Sequence, residues 1–269
     1  RNQVITASPV KVLAKKYSLS VVEEPSQIQG VDLAILYAYG KIIPKEVLNV
    51  PPLGFLNIHP SLLPLYRGPS PMVYPLILGD TKTGITLMKM DEKMDHGPIL
   101  TQQEIPVEAS DKRPDLEMKL TNLALGMLKK ILQQNLNNLS EVSQDHSLAT
   151  YTRLLTKEDG HIPFDLLKKT LNGELLSYEE LPKIIREYLD KYPGRVNQDE
   201  LLKFAHYNLF RGLFPWPGIW TKIKINDIEK RLKFTDVKLE NGRFIINRVK
   251  LEGKNEIDFE TFNKAYSLF

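Results

Sequence analysis

The chain has 269 residues, of which 42% are hydrophobic and 26% are charged, with a formal net charge of +3 at pH 7. These values are typical of a globular protein of two domains, or of one domain with an appendage. The absence of cysteine excludes disulfides, thiolate catalysis and cysteine-based zinc sites, and no apolar run approaches the roughly 20 residues of a membrane span.

The first 150 residues alternate between short apolar segments and helical patterns. Ser8 and Pro9 have the residue types of an N-cap and a first helical position, so a helix is predicted over residues 9–17. The nearly continuous apolar run at 31–38 is typical of a strand buried on both faces, as in a parallel sheet. The other predicted elements are strand 20–23, helix 44–48, strand 54–59, helix 71–78, strands 84–90 and 99–107, and helix 116–136. This alternation predicts an α/β fold with a Rossmann-like, mainly parallel sheet.

The pattern changes near Thr150. Residues 161–210 are predicted to be mostly helical, and the chain becomes β-rich from Trp216. Three strands are predicted at 221–225, 231–239 and 243–251, with Asn241-Gly242 as a hairpin turn. We therefore expect three regions, namely residues 1–150, a linker with a helical insertion at 151–210, and a small β domain at 211–269.

The residues with the clearest chemistry follow the predicted strand 54–59. Asn57 and His59 are two residues apart on a strand, so their side chains point to the same face. Pro60 ends the strand directly after them, at the carboxyl edge where open α/β sheets bind ligands. The apolar, irregular residues 61–64 suit the wall of a site for a flat ring system.

A second polar segment, residues 90–98, follows the predicted strand 84–90 and contains Asp95. A carboxylate beside an imidazole can orient the ring and raise its pKa. Each residue also has an ordinary explanation, since a histidine after a strand is often structural and Asn or Asp often forms turns. The residues alone therefore indicate a polar pair at a sheet edge and leave its function open.

The stretch 57–64, with the sequence NIHPSLLP, is followed by Arg67-Gly68 and then by Asp95. This order and spacing resembles the signature of folate-dependent formyltransferases. Further segments resemble the methionyl-tRNA formyltransferase family in particular, and together they cover most of the chain except roughly 163–205. These segments are Ser8 to Lys11, Ala38 to Pro44, Tyr151-Thr152, Leu155 to Gly160, Phe214 to Gly218, Trp220-Thr221 and Glu252 to Lys254 with Phe259 and Phe262.

The resemblance implies a formyltransferase catalytic domain at 1–150 and an OB-like tRNA-binding domain at 211–269. It implies 10-formyltetrahydrofolate as the formyl donor, no metal, and initiator methionyl-tRNA as the partner. Asn57 is then expected to stabilise the developing oxyanion, His59 to do the same or pass protons, and Asp95 to orient His59 or a water. The expected folate contacts are Ser61, Leu62, Leu63, Pro64, Ala38, Tyr39 and Gly40.

The tRNA contacts expected from the resemblance and from the local positive charge are Arg1, Arg67, Lys222, Lys224 and Arg231. The small basic excess permits RNA contact without requiring it, and a solvated lysine-rich surface would look the same. We further expect a cytoplasmic monomer without a membrane partner. The family places a first strand and helix before Arg1, and these are expected to be missing here.

Other functions fit part of the pattern. The same chemistry on an amino-sugar nucleotide or on glycinamide ribonucleotide would use the same three residues, as would hydrolysis of formyltetrahydrofolate. Enzymes of the first kind usually lack the Ser-Pro-Val-Lys segment at residues 8–11, and those of the second kind lack the C-terminal β domain. A non-enzymatic RNA-binding protein would not need Asn57 and His59.

Overall fold

The computed structural model describes residues 6–269. Within this range no helix is both long and apolar enough to cross a membrane. The α-helices of the described residues are α1 Pro9–Lys16, α2 Lys45–Leu48, α3 Val73–Leu78, α4 Arg113–Leu132, α5 Phe164–Leu171, α6 Lys183–Lys191, α7 Gln198–Leu213 and α8 Phe259–Tyr266. Ser8 caps α1 as predicted, because its hydroxyl oxygen accepts a hydrogen bond from the Lys11 amide at 3.2 Å.

The described strands form two four-stranded sheets, each with its strands in sequence order. The first sheet contains β1 Ala34–Leu36, β2 Phe55–His59, β3 Lys82–Lys89 and β4 Ile99–Pro106, and the second contains β5 Ile219–Ile225, β6 Ile228–Glu240, β7 Arg243–Leu251 and β8 Glu256–Asp258. Strands β1 and β2 are parallel, whereas β2–β3 and β3–β4 are antiparallel. All pairs of the second sheet are antiparallel.

The α/β class with a separate C-terminal β unit is confirmed. The parallel arrangement, however, is limited to the β1–β2 pair of the described strands. One reason is that residues 90–98 join β3 to β4 and are fewer than the dozen or more that a crossover to a parallel neighbour needs.

The described strands of the C-terminal unit form a four-stranded meander. An OB-fold is a five-stranded Greek-key barrel, so the likeness to that fold is limited to a small antiparallel β unit. The turn at Asn241-Gly242 is confirmed, with positive φ at both residues, as at Asn226-Asp227. These tight turns pair each strand with the next one along the chain, which produces the meander.

Two other sequence predictions are wrong. Residues 20–23 form no strand and are exposed. Strand β1 is shorter than the predicted 31–38, and it is not buried on both faces, because it lies at the edge of the described sheet and leaves Ile35 42% exposed. Strand β8 and helix α8 were not predicted at all. Phe262 of α8 is fully buried, so this helix completes the core of the C-terminal unit.

The buried hydrophobic residues of the described chain form three clusters, and the first of them packs against one face of the first sheet. Leu56 and Ile58 of β2 share one face with Ile85 and Leu87 of β3, and α4 covers that face. The buried α4 side chains are Leu116, Leu120, Ala124, Met127 and Ile131. Each buried Leu or Ile contributes about 1.5–3 kcal/mol relative to an exposed one, so this face determines the register of β2. Asn57 and His59 consequently point away from α4.

The second and larger cluster joins α3 to α5, α6, α7, α8 and the second sheet. Tyr74 and Ile77 of α3 lie in this cluster, whereas Leu76 lies in the cluster under α4. Helix α7 is also fastened to the segment after β4, because the Tyr207 hydroxyl and the Arg211 guanidinium donate hydrogen bonds to backbone carbonyls of residues 108–111. The division into regions 1–150, 151–210 and 211–269 remains a prediction.

His206 of α7 gives a test of the packing between α5 and α7. Its side chain is 2% exposed, its Nδ1 lies 2.7 Å from Thr170 Oγ1, and burial lowers its pKa from 6.5 to about 4. The unfolded chain therefore binds more protons below pH 6.5, and stability falls as pH decreases. We expect the free energy of unfolding to lose about 2 kcal/mol from this group between pH 7.5 and pH 5.

Denaturant unfolding of the wild-type protein and of His206→Gln at both pH values measures this loss. The variant lacks the titrating ring, so its stability is expected to depend less on pH. Equal pH dependence in the two proteins would show that His206 is not buried in its neutral form.

Candidate active site

Strand β2 places Asn57 and His59 at the carboxyl edge of the first sheet. Leu36 pairs with Asn57 across the parallel β1–β2 ladder, so the residues after β1 leave the sheet at the same edge. His59 is 4% exposed and Asn57 is half-buried. The amide of Asn57 is thus the more accessible of the two groups.

Asp95 lies opposite this pair. Its Oδ1 is 3.4 Å from Asn57 Nδ2 and 3.5 Å from His59 Nδ1, and its Oδ2 accepts a hydrogen bond of 2.7 Å from the Gly68 amide. The structure therefore brings together all three side chains that the resemblance singled out. An amide donor and an imidazole, each within 3.5 Å of a shared carboxylate, can stabilise an oxyanion and transfer a proton.

The proton position on His59 follows from its partners. Nε2 lies 3.1 Å from the Tyr66 carbonyl oxygen, which can only accept, so Nε2 carries the hydrogen. Burial lowers the pKa of His59, although the Asp95 carboxylate opposes this effect. In the neutral ring Nδ1 is then an acceptor that faces the Asp95 carboxylate. A proton between His59 Nδ1 and the Asp95 carboxylate would therefore be shared by the two groups.

The loop that contains Asp95 is held in place by Gln144. The Gln144 Nε2 donates to the carbonyl oxygens of Asp95 at 3.0 Å and of Gly97 at 2.7 Å. Its Oε1 accepts a hydrogen bond of 2.7 Å from Arg67 Nη2. Because Asp95 has a positive φ of 49°, a conformation that few residues other than glycine adopt, these bonds stabilise an unfavourable backbone.

Gly68 allows a close approach between two backbone segments of the site. Its φ is +105°, and a Cβ at this position would lie 2.8 Å from the Thr152 carbonyl oxygen. Any other residue would push the segments apart and remove the Gly68 amide from Asp95. The glycine is therefore needed for both the backbone conformation and the carboxylate contact.

Arg67 was predicted to contact tRNA, and its position argues against that role. It is 1% exposed, and its guanidinium donates to Gln144, His146 and the Tyr151 hydroxyl. A buried guanidinium with these partners is not accessible to a phosphate of the tRNA. Sequence reasoning missed Gln144 because its contacts are long-range and no local pattern marks it.

The residues predicted to contact folate fall into two groups. Ser61 and Leu63 are buried, and their polar groups already have partners, namely the Leu65 carbonyl for the Ser61 hydroxyl and the Thr86 hydroxyl for the Leu63 amide. Leu62 and Pro64 are half-buried. Ala38, Tyr39 and Gly40 are exposed and follow β1 at the edge where Asn57 lies.

A cavity of about 750 Å³ lies beside this segment. Leu62, Tyr66, Asp80 and Arg195 are among its lining residues, whereas Asn57, His59 and Asp95 are not. The cavity therefore lies apart from these three residues. Burial raises the pKa of Asp80 to about 6, and the Tyr66 hydroxyl donates a hydrogen bond to its carboxyl group.

The other predicted tRNA contacts lie on the second sheet or outside the described residues. Arg1 lies outside the described range of 6–269. Lys222 and Lys224 are exposed on β5, and Arg231 is exposed on β6 opposite Lys222. Lys222 forms an ion pair of 2.7 Å with Glu229, so part of its charge is already neutralised.

Comparison with known proteins shows the family to which the chain belongs. A sequence model of the formyl transferase family matches residues 4–132. A methionyl-tRNA formyltransferase of Caldicellulosiruptor saccharolyticus is 34% identical, over 90% of this chain and 81% of the relative. One from Dictyoglomus thermophilum is 32% identical, over 100% of this chain and 86% of the relative. The chain belongs to the methionyl-tRNA formyltransferase family.

Solved structures agree on the fold. Methionyl-tRNA formyltransferase from Clostridium thermocellum has a TM-score of 0.53 at 17% identity, over 84% of this chain and 78% of that chain. An N-formyltransferase from Helicobacter canadensis, solved with folinic acid and dTDP-3-aminofucose, has a TM-score of 0.56 at 16% identity, over 88% of this chain and 78% of that chain. At such identities the likeness concerns the fold, while membership of the methionyl-tRNA formyltransferase family rests on the sequence relatives.

Replacing Gln144 tests its role in positioning Asp95. In Gln144→Ala, two loop carbonyls lose their donor and Arg67 loses an acceptor, which should cost about 1–3 kcal/mol of stability. We expect formyl transfer to slow by roughly 10–100-fold, because small displacements of catalytic groups have effects of this size. The rate of formyl transfer and the midpoint of unfolding are the two measurements.

Gln134→Ala is the matched control, because Gln134 is exposed just after the end of α4. It is expected to leave both rate and stability unchanged. A wild-type rate in Gln144→Ala would show that the loop keeps Asp95 in place without this side chain.

Proposed function

We propose that Asn57, His59 and Asp95 catalyse the transfer of a formyl group from 10-formyltetrahydrofolate to the α-amine of methionine on initiator tRNA. As a member of the methionyl-tRNA formyltransferase family, the protein is an enzyme that uses a folate formyl donor and acts on methionyl-tRNA. The observation that most directly supports the three catalytic roles is the convergence of Asn57 and His59 on Asp95 Oδ1, within 3.5 Å.

The amide of Asn57 fits the role of oxyanion donor. Its contact with Asp95, at 3.4 Å, is longer than the usual 2.7–3.2 Å of an N–H···O hydrogen bond. The amide is therefore only weakly committed to Asp95 and can donate to the formyl oxygen as that oxygen gains charge. Such a donor is most effective when it is already oriented before the reaction, as Asn57 is on its strand.

Asp95 and His59 fit the role of proton carrier. The amine nitrogen attacks the formyl carbon, the bond from that carbon to folate N10 breaks, and one proton moves from the amine to N10. Asp95 is the more exposed partner, with 14% of its side chain accessible against 5% for His59. We propose that the Asp95 carboxylate accepts the proton of the amine first. His59 Nδ1 then stabilises the protonated Asp95 by accepting a hydrogen bond from it.

The segment after β1 is the proposed wall for the pterin. Ala38, Tyr39 and Gly40 are exposed and leave the sheet at the edge that presents Asn57. Leu62 and Pro64 remain proposed apolar contacts, since both are partly accessible. Ser61 and Leu63 are proposed to act indirectly, by holding the shape of the segment through their bonds to the Leu65 carbonyl and the Thr86 hydroxyl.

Asn57→Ala tests the oxyanion role. Removal of one such donor should lower kcat by about 10²–10³ while the affinity for folate changes little. The assay follows formyl transfer from 10-formyltetrahydrofolate to methionyl-tRNA, with an amino-sugar nucleotide and water as alternative acceptors. These two acceptors test the sugar-nucleotide formyltransferase and the hydrolase functions.

Asn138→Ala is a suitable control, because Asn138 is an exposed asparagine whose side chain forms no hydrogen bond within the described residues. It is expected to retain the wild-type kcat. Full turnover by Asn57→Ala would remove Asn57 from the mechanism, and faster transfer to the sugar or to water than to tRNA would reject the proposed acceptor.

The coupling between His59 and Asp95 predicts a pH effect. Burial lowers the pKa of His59 below 6.5, so the ring is neutral at pH 7 and kcat/KM should fall only when the pH drops below that lowered value. The Asp95 carboxylate raises the pKa of His59, so Asp95→Asn should lower the titration midpoint further. NMR titration of the His59 ring measures both midpoints independently of activity.

Asp227→Asn serves as the control, because Asp227 is exposed in the turn between β5 and β6. It is expected to leave the His59 midpoint unchanged. An upward shift in Asp95→Asn, or no shift, would contradict the direct interaction of the two groups.

A further inference from the structure

Helix α6 lies in the part of the chain that the family motifs do not cover, roughly residues 163–205, and it packs beside the catalytic site. One face of this helix is buried, namely Ile184, Ile185, Tyr188 and Leu189. The centre of the Tyr188 ring lies 5.8 Å from that of Tyr66, whose backbone carbonyl contacts His59. The helix is therefore packed directly against the segment that follows β2.

A second stretch of chain, residues 150–153, contacts both α6 and the segment after β2, and we call it the bridge segment. It pairs with Arg67 as a parallel bridge, because the Arg67 amide donates to the Thr150 carbonyl at 2.8 Å and the Thr152 amide donates to the Arg67 carbonyl at 2.7 Å. In this pattern the amide of the intervening residue, Tyr151, points away from Arg67. The bridge segment thus has one edge toward the catalytic site and one edge toward α6.

The edge toward the site determines where Gly68 lies. Thr150 and Thr152 are buried, with exposures of 2% and 9%, and their hydroxyl oxygens accept hydrogen bonds from the backbone amides of Tyr66 and Ser70. The Thr152 carbonyl oxygen would lie only 2.8 Å from a Cβ at Gly68, so the two backbones are in close contact. A shift of the bridge segment would therefore move the Gly68 amide, which donates to the catalytic carboxylate.

Two side chains of α6 and its C-cap hold the opposite edge. The Tyr192 hydroxyl accepts a hydrogen bond of 2.9 Å from the Tyr151 amide. The Glu187 carboxylate accepts a hydrogen bond of 3.0 Å from Arg153 Nε and lies 2.9 Å from Arg153 Nη2. These contacts fix the residues on either side of Thr152.

The Tyr192 hydroxyl is itself held in place. The Tyr192 ring packs on the buried Tyr188 ring with 4.9 Å between their centres, and the Lys191 ammonium group lies 5.4 Å from the centre of the Tyr192 ring. Tyr151 is 41% exposed, so water can bond to its amide if the hydroxyl is removed. Loss of the hydroxyl should therefore affect the position of the bridge segment more than the stability of the fold.

A displacement of Tyr151 reaches Asp95 by a second route as well. The Tyr151 hydroxyl accepts a hydrogen bond of 3.1 Å from Arg67 Nη1. The other terminal nitrogen of Arg67 donates to Gln144, and Gln144 donates to the Asp95 carbonyl. The bridge segment therefore supports both the backbone and the carboxylate of Asp95.

From these contacts we propose that Tyr192 and Glu187 are positioning residues for formyl transfer, which act on Asp95 through the bridge segment. Helix α6 then determines how accurately the Asp95 carboxylate is placed beside its two partners on β2. Such support matters because catalytic groups work best when neighbouring residues already hold them in the productive geometry. This inference rests on the proposed function, since it assigns supporting residues to the same reaction.

Tyr192→Phe removes the acceptor hydroxyl and keeps the packed ring. We expect kcat for formyl transfer to methionyl-tRNA to fall about 3–10-fold, while KM for either substrate changes less than about twofold, because misplaced catalytic groups slow the chemical step. Tyr178→Phe is the matched control. Tyr178 is also half-buried, and its hydroxyl donates to Asp190 on the same helix. This control should keep the wild-type kcat.

A double-variant comparison separates positioning from a general loss of folded enzyme. In an Asp95→Asn background the carboxylate that α6 positions is absent, so Tyr192→Phe should have little further effect on the single-turnover rate. Glu187→Gln, which weakens the contact with Arg153, should show the same dependence on background. A rate that falls by the same factor with and without Asp95 would overturn the proposal.

Amide hydrogen exchange measured by NMR locates the effect. In Tyr192→Phe the amides of Tyr151 and Gly68 should both exchange faster than in the wild-type protein and in Tyr178→Phe. Faster exchange at Tyr151 with an unchanged Gly68 amide, or a kcat equal to that of Tyr178→Phe, would overturn the positioning role and leave the enzyme function standing. If the wild-type protein does not formylate methionyl-tRNA at all, the proposed function fails, and with it this inference.

Discussion

The hydrogen bond from the Gly68 amide to the Asp95 carboxylate is the contact on which the site depends. It joins the segment that follows β2 to the loop between β3 and β4. It therefore holds the Asp95 carboxylate of the loop close to Asn57 and His59 of the strand. Only a glycine at position 68 can make this approach, because a Cβ would meet the Thr152 carbonyl. Gln144 and Arg67 complete the support from the other side of the loop.

The same segment joins the site to the C-terminal unit. Thr152 bonds to the backbone of Arg67 and to the amide of Ser70. Five residues later, the backbone carbonyl of Lys157 accepts a hydrogen bond from the Trp220 indole of β5. A single stretch of the chain therefore contacts the segment after β2 at one end and the second sheet at the other.

Much of the fold was predictable from local pattern. The period of two in β2 predicted that Asn57 and His59 share a face, and the capping residues predicted the start of α1. The exposure of β1, the meander of the C-terminal sheet and the contacts of Gln144 were not predictable, since each depends on residues far apart in the sequence. Arg67 illustrates the same limit, because a charged residue in a motif suggested a surface role and only its long-range partners Gln144, His146 and Tyr151 place it inside.

Asp95 was predictable in part, from the family resemblance and not from its local pattern. Its sequence neighbourhood resembles an ordinary acidic turn, and only the family resemblance connected it with Asn57 and His59. The residue pattern predicted the sheet edge but not the participation of Asp95. The distance between β2 and the loop after β3 is determined by strand pairing, which the local sequence does not specify.

Helix α3 has a consequence for the architecture as a whole. Its Leu76 lies in the cluster beneath α4, while Tyr74 and Ile77 lie in the cluster shared with α7 and the C-terminal unit. A polypeptide that ended at about residue 150 would expose the apolar face of α3 that carries Tyr74 and Ile77. The amino-terminal part therefore depends on the later helices for a complete core. During synthesis, that apolar face stays exposed until α7 has left the ribosome, and exposed apolar surface of this kind favours aggregation of the incomplete chain.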